Sequence, residues 1–268
     1  MTKAPTLATS TVALPPEGAQ SALGRPGGGF IRTRIKICGL TREQDVDAAV
    51  AAGADAIGFV LYDKSPRYVT PQRAAELARR LPPFVTPVLL FVNKSATNII
   101  AACAYIQGAT LQFHGDESPE QCLQASATGA RPFLRAARIP LGEAGRNFDL
   151  VKYASDYSNA QAILLDAEVE GFGGGGKAFN WSLLPANVNA HLVLSGGLSA
   201  ANVTDGILQV RPRCKTLAVD VSSGVEVEAP GGGTLKGIKD AEKIKQFVAA
   251  VRAADRHFNN LAGQTRLD

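Results

Sequence analysis

From Arg34 onward, short apolar runs alternate with amphipathic stretches, and that alternation restricts the fold more than any other feature of the chain. The runs are RIKIC (34–38), AIGFVLY (56–62), PVLLFVN (87–93), TLQFH (110–114), PFLRAARI (132–139), AILLD (162–166), HLVLS (191–195) and TLAVDV (216–221). Between them lie REQDVDAAVAAG, TPQRAAELARRLP, ATNIIAACAYIQG, SPEQCLQASATG and SAANVTDGILQV, and DAEKIKQFVAAVRAAD closes the series. Apolar residues recur there at three and four, the helical period. Strands that alternate with helices are joined in parallel by crossovers. Eight such units in about 225 residues suit one α/β domain, a single (β/α)8 TIM barrel, read over residues 31–256. A doubly wound open sheet is the alternative. It usually has fewer strands, and its first turn often carries the GxGxxG that this chain lacks.

The flanks read differently. Residues 1–30 are rich in Pro, Gly, Ser and Thr and too poor in apolar side chains to offset the cost of ordering, so a disordered tail is expected. No apolar core follows basic residues there, which argues against a secretory signal. With only Lys3 and Arg25 as bases, a transit peptide ranks below a plain tail or a mis-assigned start codon. Residues 257–268 are read as a flexible C-terminal tail.

Composition excludes several function classes. No apolar run reaches the roughly 18 residues of a membrane helix. A net charge of +4 without a Lys/Arg block gives no reason to expect nucleic acid. The four cysteines form no CxxC pair, so neither zinc nor a redox motif is expected. They read as reduced thiols of a cytoplasmic protein, three of them core filler.

Chemistry in a barrel sits where strands end at the C-terminal rim. Cys38 ends the first strand, Gly39 makes the bend, and Thr41 with Gln44 matches a capping box for a helix starting near Arg42. Side chains alternate along a strand, so Lys36 and Cys38 share the inward face with Arg34, about 7 Å apart along the strand. A neighbouring ammonium favours thiolate, which predicts a Cys38 pKa below the usual value. The plain alternative, a small hydrophobe filling the barrel mouth, has equal standing on this strand alone.

Asp166 ends AILLD. A partly desolvated carboxyl there would have a raised pKa and could donate a proton, although most such residues are caps. Strands one and six lie on roughly opposite sides of an eight-stranded ring, so a thiol and a carboxyl could flank one small substrate. Three Gly-rich segments suit phosphate: GFGGGGK (171–177), with Gly175 and Gly176, also a candidate lid; SGGLSAAN (195–202), with Gly196 and Gly197; and DVSSGVE (220–226), with Asp220, Ser222 and Ser223. Arg67 in DKSPRYV has a fork suited to a carboxylate, against the commoner reading of a solvated loop charge. Gln112 and His114 alternate onto one face and could line a pocket.

Together and in this order, KICGLT, GFVLYDKSPRYV, LQFHGDES, LLDA with GGGGKAFNW, LSGGL and DVSSGVE…PG resemble phosphoribosylanthranilate isomerases of tryptophan biosynthesis, over essentially Arg34 to Arg252. The resemblance implies a (β/α)8 barrel that converts N-(5'-phosphoribosyl)anthranilate to the aminoketose by an Amadori rearrangement, with no metal and no organic cofactor. It implies Asp166 as general acid and Cys38 as general base. Arg67 would hold the anthranilate carboxylate, and Lys36, Gln112 and His114 would serve the substrate side of the pocket. Gly175, Gly176, Gly196, Gly197, Asp220, Ser222 and Ser223 would stand at the phosphate. The implied partner is a small phosphoribosyl substrate, with a monomer as the default and a homodimer as the alternative.

The chain departs from the family pattern at two places. Gly175 stands where the family's GGTGK loop has Thr. The segment VEVEAPGGGTLKGIKD (225–240) is longer than the usual link and is expected to form a surface loop near the phosphate end. Among rivals, a barrel isomerase of phosphoribosyl imidazole compounds needs carboxylates on strands one and five. A metal-dependent sugar-phosphate epimerase needs several His and Asp ligands, and the chain has 3 histidines. A non-catalytic phosphate-binding barrel would show the same loops without needing both Cys38 and Asp166.

Overall fold

A computed structural model describes residues 32–168 and 178–264. The expected tail at 1–30 and the lid segment with Gly175 and Gly176 lie outside the described residues. Eight parallel strands close into a barrel in sequence order: β1 (Arg34–Cys38), β2 (Ala56–Val60), β3 (Thr86–Phe91), β4 (Thr110–Phe113), β5 (Phe133–Ile139), β6 (Ala162–Ala167), β7 (His191–Leu194) and β8 (Thr216–Val221). β8 pairs with β1, setting Asp220 beside Lys36 and closing the ring. All eight strands lie on the runs read from sequence, several a residue or two shorter or shifted. Those differences fall where apolar character continues into the rim loops, as at Leu61 and Val92, which stay buried after their strands have ended.

The helices are α1 (Glu43–Ala52), α2 (Pro71–Ala78), α3 (Ala96–Cys103), α4 (Pro119–Ala125), α5 (Leu150–Asp156), α6 (Val203–Val210) and α7 (Ala241–Gln264). Caps fix several starts. The hydroxyls of Thr70, Ser95 and Ser118 accept N–H groups at the heads of α2, α3 and α4, and Ser118 with Gln121 forms a reciprocal capping box. The capping box expected at Thr41 does not form. Thr41 Oγ1 instead donates to the Gly237 carbonyl at 2.8 Å, and Arg42 heads α1 without a side-chain cap.

α5 has no counterpart in the sequence reading; it is one short stretch in which only Leu150 is buried, so its period is too weak to see. Two further differences concern the C-terminal part. Residues 226–239 are not a plain surface loop but an antiparallel hairpin, β9 (Glu226–Glu228) with β10 (Thr234–Lys239), and Glu226 is fully buried. α7 continues to residue 264, so the boundary read at 256 falls inside a helix.

The core has two compartments. Ile35, Ile37, Phe59, Leu89, Phe91, Leu111 and Phe113 point outward from the strands into one large cluster with the helices. α7 adds Ile244, Phe247 and Val251, packing against α1 and α6. Burying each such side chain contributes about 1.5–3 kcal/mol. Inside the barrel, a lower layer of Ala136, Leu164 and Val193 lies beneath an upper layer of Cys38, Val60, Leu90 and Val92. The cavity opens above the upper layer. At the base, Asp255 of α7 accepts the Thr33 N–H at 2.9 and 3.0 Å and also pairs with Arg211 and Arg252, tying the start of β1 to the last helix.

Candidate active site

The first strand carries the thiol inward because of its alternation. Ile35 and Ile37 face the helices, whereas Lys36 and Cys38 face the barrel, each 4% exposed. Cys38 is level with Gly58 of β2 in the strand register. A Cβ at Gly58 would stand 2.7 Å from Cys38 Sγ, so the missing side chain is what leaves the sulfur its place. Gly39 turns the chain out of the barrel at φ +75°, and a Cβ there would meet Arg67 Cδ at 2.5 Å.

Lys36 Nζ donates to Asp220 Oδ1 at 2.8 Å, and Ser195 Oγ donates to Asp220 Oδ2 at 3.0 Å. Burial alone would lower the Lys36 pKa, but Asp220 and Cys38 outweigh it and raise the value above the ordinary lysine range. The thiol does not titrate as the sequence suggested. Burial pushes Cys38 above its ordinary value; Lys36 opposes this, and the Asp220 carboxylate reinforces it. The sequence shows the ammonium beside the thiol but not the carboxylate, 184 residues away, that already claims that ammonium.

Three strands round the ring from β1, Asp166 is the last residue but one of β6, 5% exposed. Its Oδ1 accepts the Ala167 N–H at 2.9 Å. Gln112 Nε2 donates to His114 Nδ1 at 2.9 Å, which leaves the ring proton on Nε2 to donate to Asp166 Oδ2 at 2.9 Å. Gln112 Oε1, also buried, has no hydrogen-bond partner among the described residues. Arg135 of β5 steadies this relay. Its guanidinium donates to the carbonyls of Phe113 and Gly115 at 3.1 and 3.0 Å, one on each side of His114, and stacks 4.9 Å from the Tyr157 ring centre. Gly196, at φ +75°, passes so close that a Cβ would stand 2.8 Å from Asp166 Oδ1.

The third group binds β2's loop to the hairpin. Arg67 is buried, and its Nε and Nη2 donate to the two oxygens of Glu226 at 2.7 and 2.9 Å. Glu226 also accepts from Gly237 N–H, Thr234 Oγ1 and Lys239 Nζ, the last at 3.2 Å. Burial would raise the Glu226 pKa, but Arg67, Lys239 and the Gly237 N–H hold it at about 2. Burial lowers Lys239 to about 8 despite Glu226. Lys239 Nζ also donates to the Ser222 carbonyl at 2.9 Å. The fork read as ready for a ligand is thus half occupied, because the hairpin brings a buried carboxylate that the sequence reading placed in a surface loop.

These groups surround one cavity of about 370 Å³ at the C-terminal rim. Cys38, Arg67, Gln112, His114 and Asp166 line it, as do Gly196, Gly197, Asp220, Ser222 and Ser223. Lys36 sits behind them on Asp220. Sequence reasoning missed Ser195, Glu226, Lys239, Arg135 and Lys236. Two had a readable signal: Ser195 lies two residues beyond inward Val193, and Arg135 interrupts an apolar run. Glu226 and Lys239 carry none, since nothing local shows that a loop charge will be buried. Cys103 and Cys122 are core as expected, and Cys214 is half-buried.

A thiol from β1 and a carboxyl from β6, lining one polar cavity, can move protons on two atoms of a small anionic ligand. Comparison with known proteins identifies the family. The family model described as N-(5'phosphoribosyl)anthranilate (PRA) isomerase matches residues 35–250. An N-(5'-phosphoribosyl)anthranilate isomerase of Methylibium petroleiphilum is 62% identical over 225 residues, 84% of this chain and 96% of that protein. The crystal structure of phosphoribosyl anthranilate isomerase from Thermotoga maritima aligns with TM-score 0.69 at 37% identity, over 82% of this chain and 99% of that one. A phosphoribosyl anthranilate isomerase in complex with reduced 1-(o-carboxyphenylamino)-1-deoxyribulose 5-phosphate aligns with TM-score 0.67 at 34% identity, over the same shares. Matched from its first strand to its last helix, and built as the same barrel, the chain belongs to the phosphoribosylanthranilate isomerase family.

Proposed function

We propose that Cys38 and Asp166 are the base and the acid with which this chain carries out its family's reaction. That reaction converts N-(5'-phosphoribosyl)anthranilate to 1-(2-carboxyphenylamino)-1-deoxyribulose 5-phosphate, an aldose-to-ketose isomerisation in tryptophan biosynthesis. Asp166 gives its proton to the ribose ring oxygen, the C1'–O bond breaks, and a protonated Schiff base forms. The Cys38 thiolate takes the C2' proton, and the electron pair of that C–H bond moves into the enolamine. In the tautomerisation to the ketone the C2' hydroxyl loses its proton, its oxygen forms the C=O bond, and C1' gains a proton. Two proton carriers account for every step, so the mechanism calls on neither a metal nor an organic cofactor. A raised thiol pKa makes the thiolate a stronger base once formed, with Lys36 as its nearest cation.

The substrate has a phosphate at one end and a carboxylate at the other. The phosphate goes to the backbone of Gly196 and Gly197 with Ser222 and Ser223, and the carboxylate goes to the edge of Arg67 that Glu226 leaves open. Gln112 Oε1, buried and without a partner among the described residues, is a ready acceptor for a ribose hydroxyl. No helix among the described residues is long and apolar enough to cross a membrane.

One observation carries the reading: Cys38 and Asp166, from β1 and β6, line the same cavity. Acid and base assistance each contribute about 10²–10⁴ in rate, or about 2.7–5.5 kcal/mol. Cys38→Ser and Asp166→Asn should each cut kcat by at least about two orders, followed as the loss of anthranilate fluorescence. Turnover like that of the unaltered protein in either variant removes that residue from the mechanism.

A further inference from the structure

We propose that Lys236, on the β9–β10 hairpin, is a further binding residue for the carboxylate end of the substrate. The proposal rests on the orientation given above and adds a specificity-determining residue to it. The buried cations at the cavity are already paired. Lys36 is held by Asp220, and Arg67 gives two of its donors to Glu226. Lys239 is turned to Glu226 and the Ser222 carbonyl and does not line the cavity. An incoming carboxylate therefore meets a guanidinium with two of its donors already engaged, in a buried cluster of two cations and one carboxylate. Among the described residues, the exposed lysines in the cavity wall are Lys64 and Lys236.

Lys236 is fixed beside Arg67. Thr234 and Lys236 share one face of β10, two residues apart. Lys236 Nζ donates to Thr234 Oγ1 at 3.2 Å, and Thr234 Oγ1 donates to Glu226 Oε2 at 2.8 Å. One hydroxyl thus separates the ammonium from the carboxylate that holds Arg67. The strand beneath is fastened twice. Glu226 Oε1 accepts the Gly237 N–H at 2.8 Å, and Thr41 Oγ1 donates to the Gly237 carbonyl at 2.8 Å. A Cβ at Gly237 would stand 3.6 Å from the Pro66 carbonyl, so β10 lies against the loop that delivers Arg67. The root of Lys236 is immobilised, its tip reaches into the cavity wall, and its one bond to a neutral hydroxyl is easily exchanged for an anion. The long segment that departs from the family pattern thereby adds an exposed, exchangeable cation beside the engaged Arg67.

The test uses the full chain and two ligands: reduced 1-(o-carboxyphenylamino)-1-deoxyribulose 5-phosphate, and its counterpart lacking the ring carboxylate. Lys236→Gln is compared with Lys215→Gln, which removes an equal charge just before β8 at the base of the barrel. An exposed charge pair of this kind should weaken the carboxylate ligand about three- to sixfold in Lys236→Gln and raise KM by the same factor with kcat unchanged. Affinity for the counterpart should be unaltered, and Lys215→Gln should leave both affinities alone. Unchanged affinity of Lys236→Gln for the carboxylate ligand would overturn the proposal. So would an equal loss on both ligands, or an equal loss in Lys215→Gln. An unaltered protein that bound neither ligand would instead overturn the assignment of the cavity, and this proposal with it.

Discussion

Gly58→Ala tests the placement of the base without replacing any ionisable group. An ideal Cβ at Gly58 stands 2.7 Å from Cys38 Sγ, 3.1 Å from Cys38 Cα and 3.1 Å from Lys36 Cε. Unbonded heavy atoms rest about 3.5–4.0 Å apart, so the methyl needs the sulfur to retreat by about 1 Å. The backbone has little room to yield, because β1 is pinned between β2 and β8. Displacing a reacting group by that distance costs about 10²-fold in rate. The same overpacking should lower stability by about 1–3 kcal/mol, which a barrel of this size tolerates. Steady-state turnover, read as loss of anthranilate fluorescence, should therefore show kcat down about 10²-fold in a protein that remains folded. Affinity for the reduced product analogue should fall by less than kcat, because the Gly58 methyl would press on Cys38 and Lys36 and not on Arg67, Gly196 or Gly197. A folded Gly58→Ala enzyme with kcat within about threefold of the unaltered protein would refute the placement of Sγ as the base.

Asp220→Asn removes the carboxylate that holds Lys36 and raises the thiol, so the Cys38 pKa should fall and its alkylation by iodoacetamide at neutral pH should quicken. The acid limb of kcat/KM should move to lower pH, and an unmoved limb would detach it from Cys38. Glu226→Gln leaves Arg67 and Lys239 buried without their counter-charge, a loss of about 3–5 kcal/mol in urea midpoints near neutral pH. The Glu226 pKa is depressed from 4.5 to about 2, so its contribution is complete above 4.5 and vanishes as pH falls through 2. The gap between Glu226→Gln and the unaltered protein should therefore narrow in that window, and a gap constant from pH 7 to pH 3 would show that the charge does not matter.

Strand count, strand order and the rim location of the cavity were legible because they follow from period and alternation, which are local. Cys38, Asp166, Gln112 and His114 were legible for the same reason, as polar residues at the inward phase of a strand's last turn. The titration of Cys38 was not. Its direction depends on Asp220, a neighbour only because the barrel closes β8 onto β1. Arg67 was legible as a cation at the rim, but its partner Glu226 was not. A charged residue in a Gly- and Pro-rich segment reads as solvated, and only the hairpin's fold over the β2 loop buries it. Thr41 shows the converse failure, since a valid capping pattern lost its hydroxyl to a distant carbonyl. Local pattern decided which residues reach the cavity, and long-range pairing decided their charge state.

The clasp of Asp255 on Thr33 has a consequence for how this chain can be joined to others. It gathers the beginning of β1 and the later turns of α7 at the closed end of the barrel, while the cavity proposed for substrate lies at the opposite, open end. A second protein fused before residue 32 or after residue 264 would start its path from that closed end. Tether and traffic then occupy opposite poles, which lets an enzyme of this architecture be strung beside another without either one standing in its doorway.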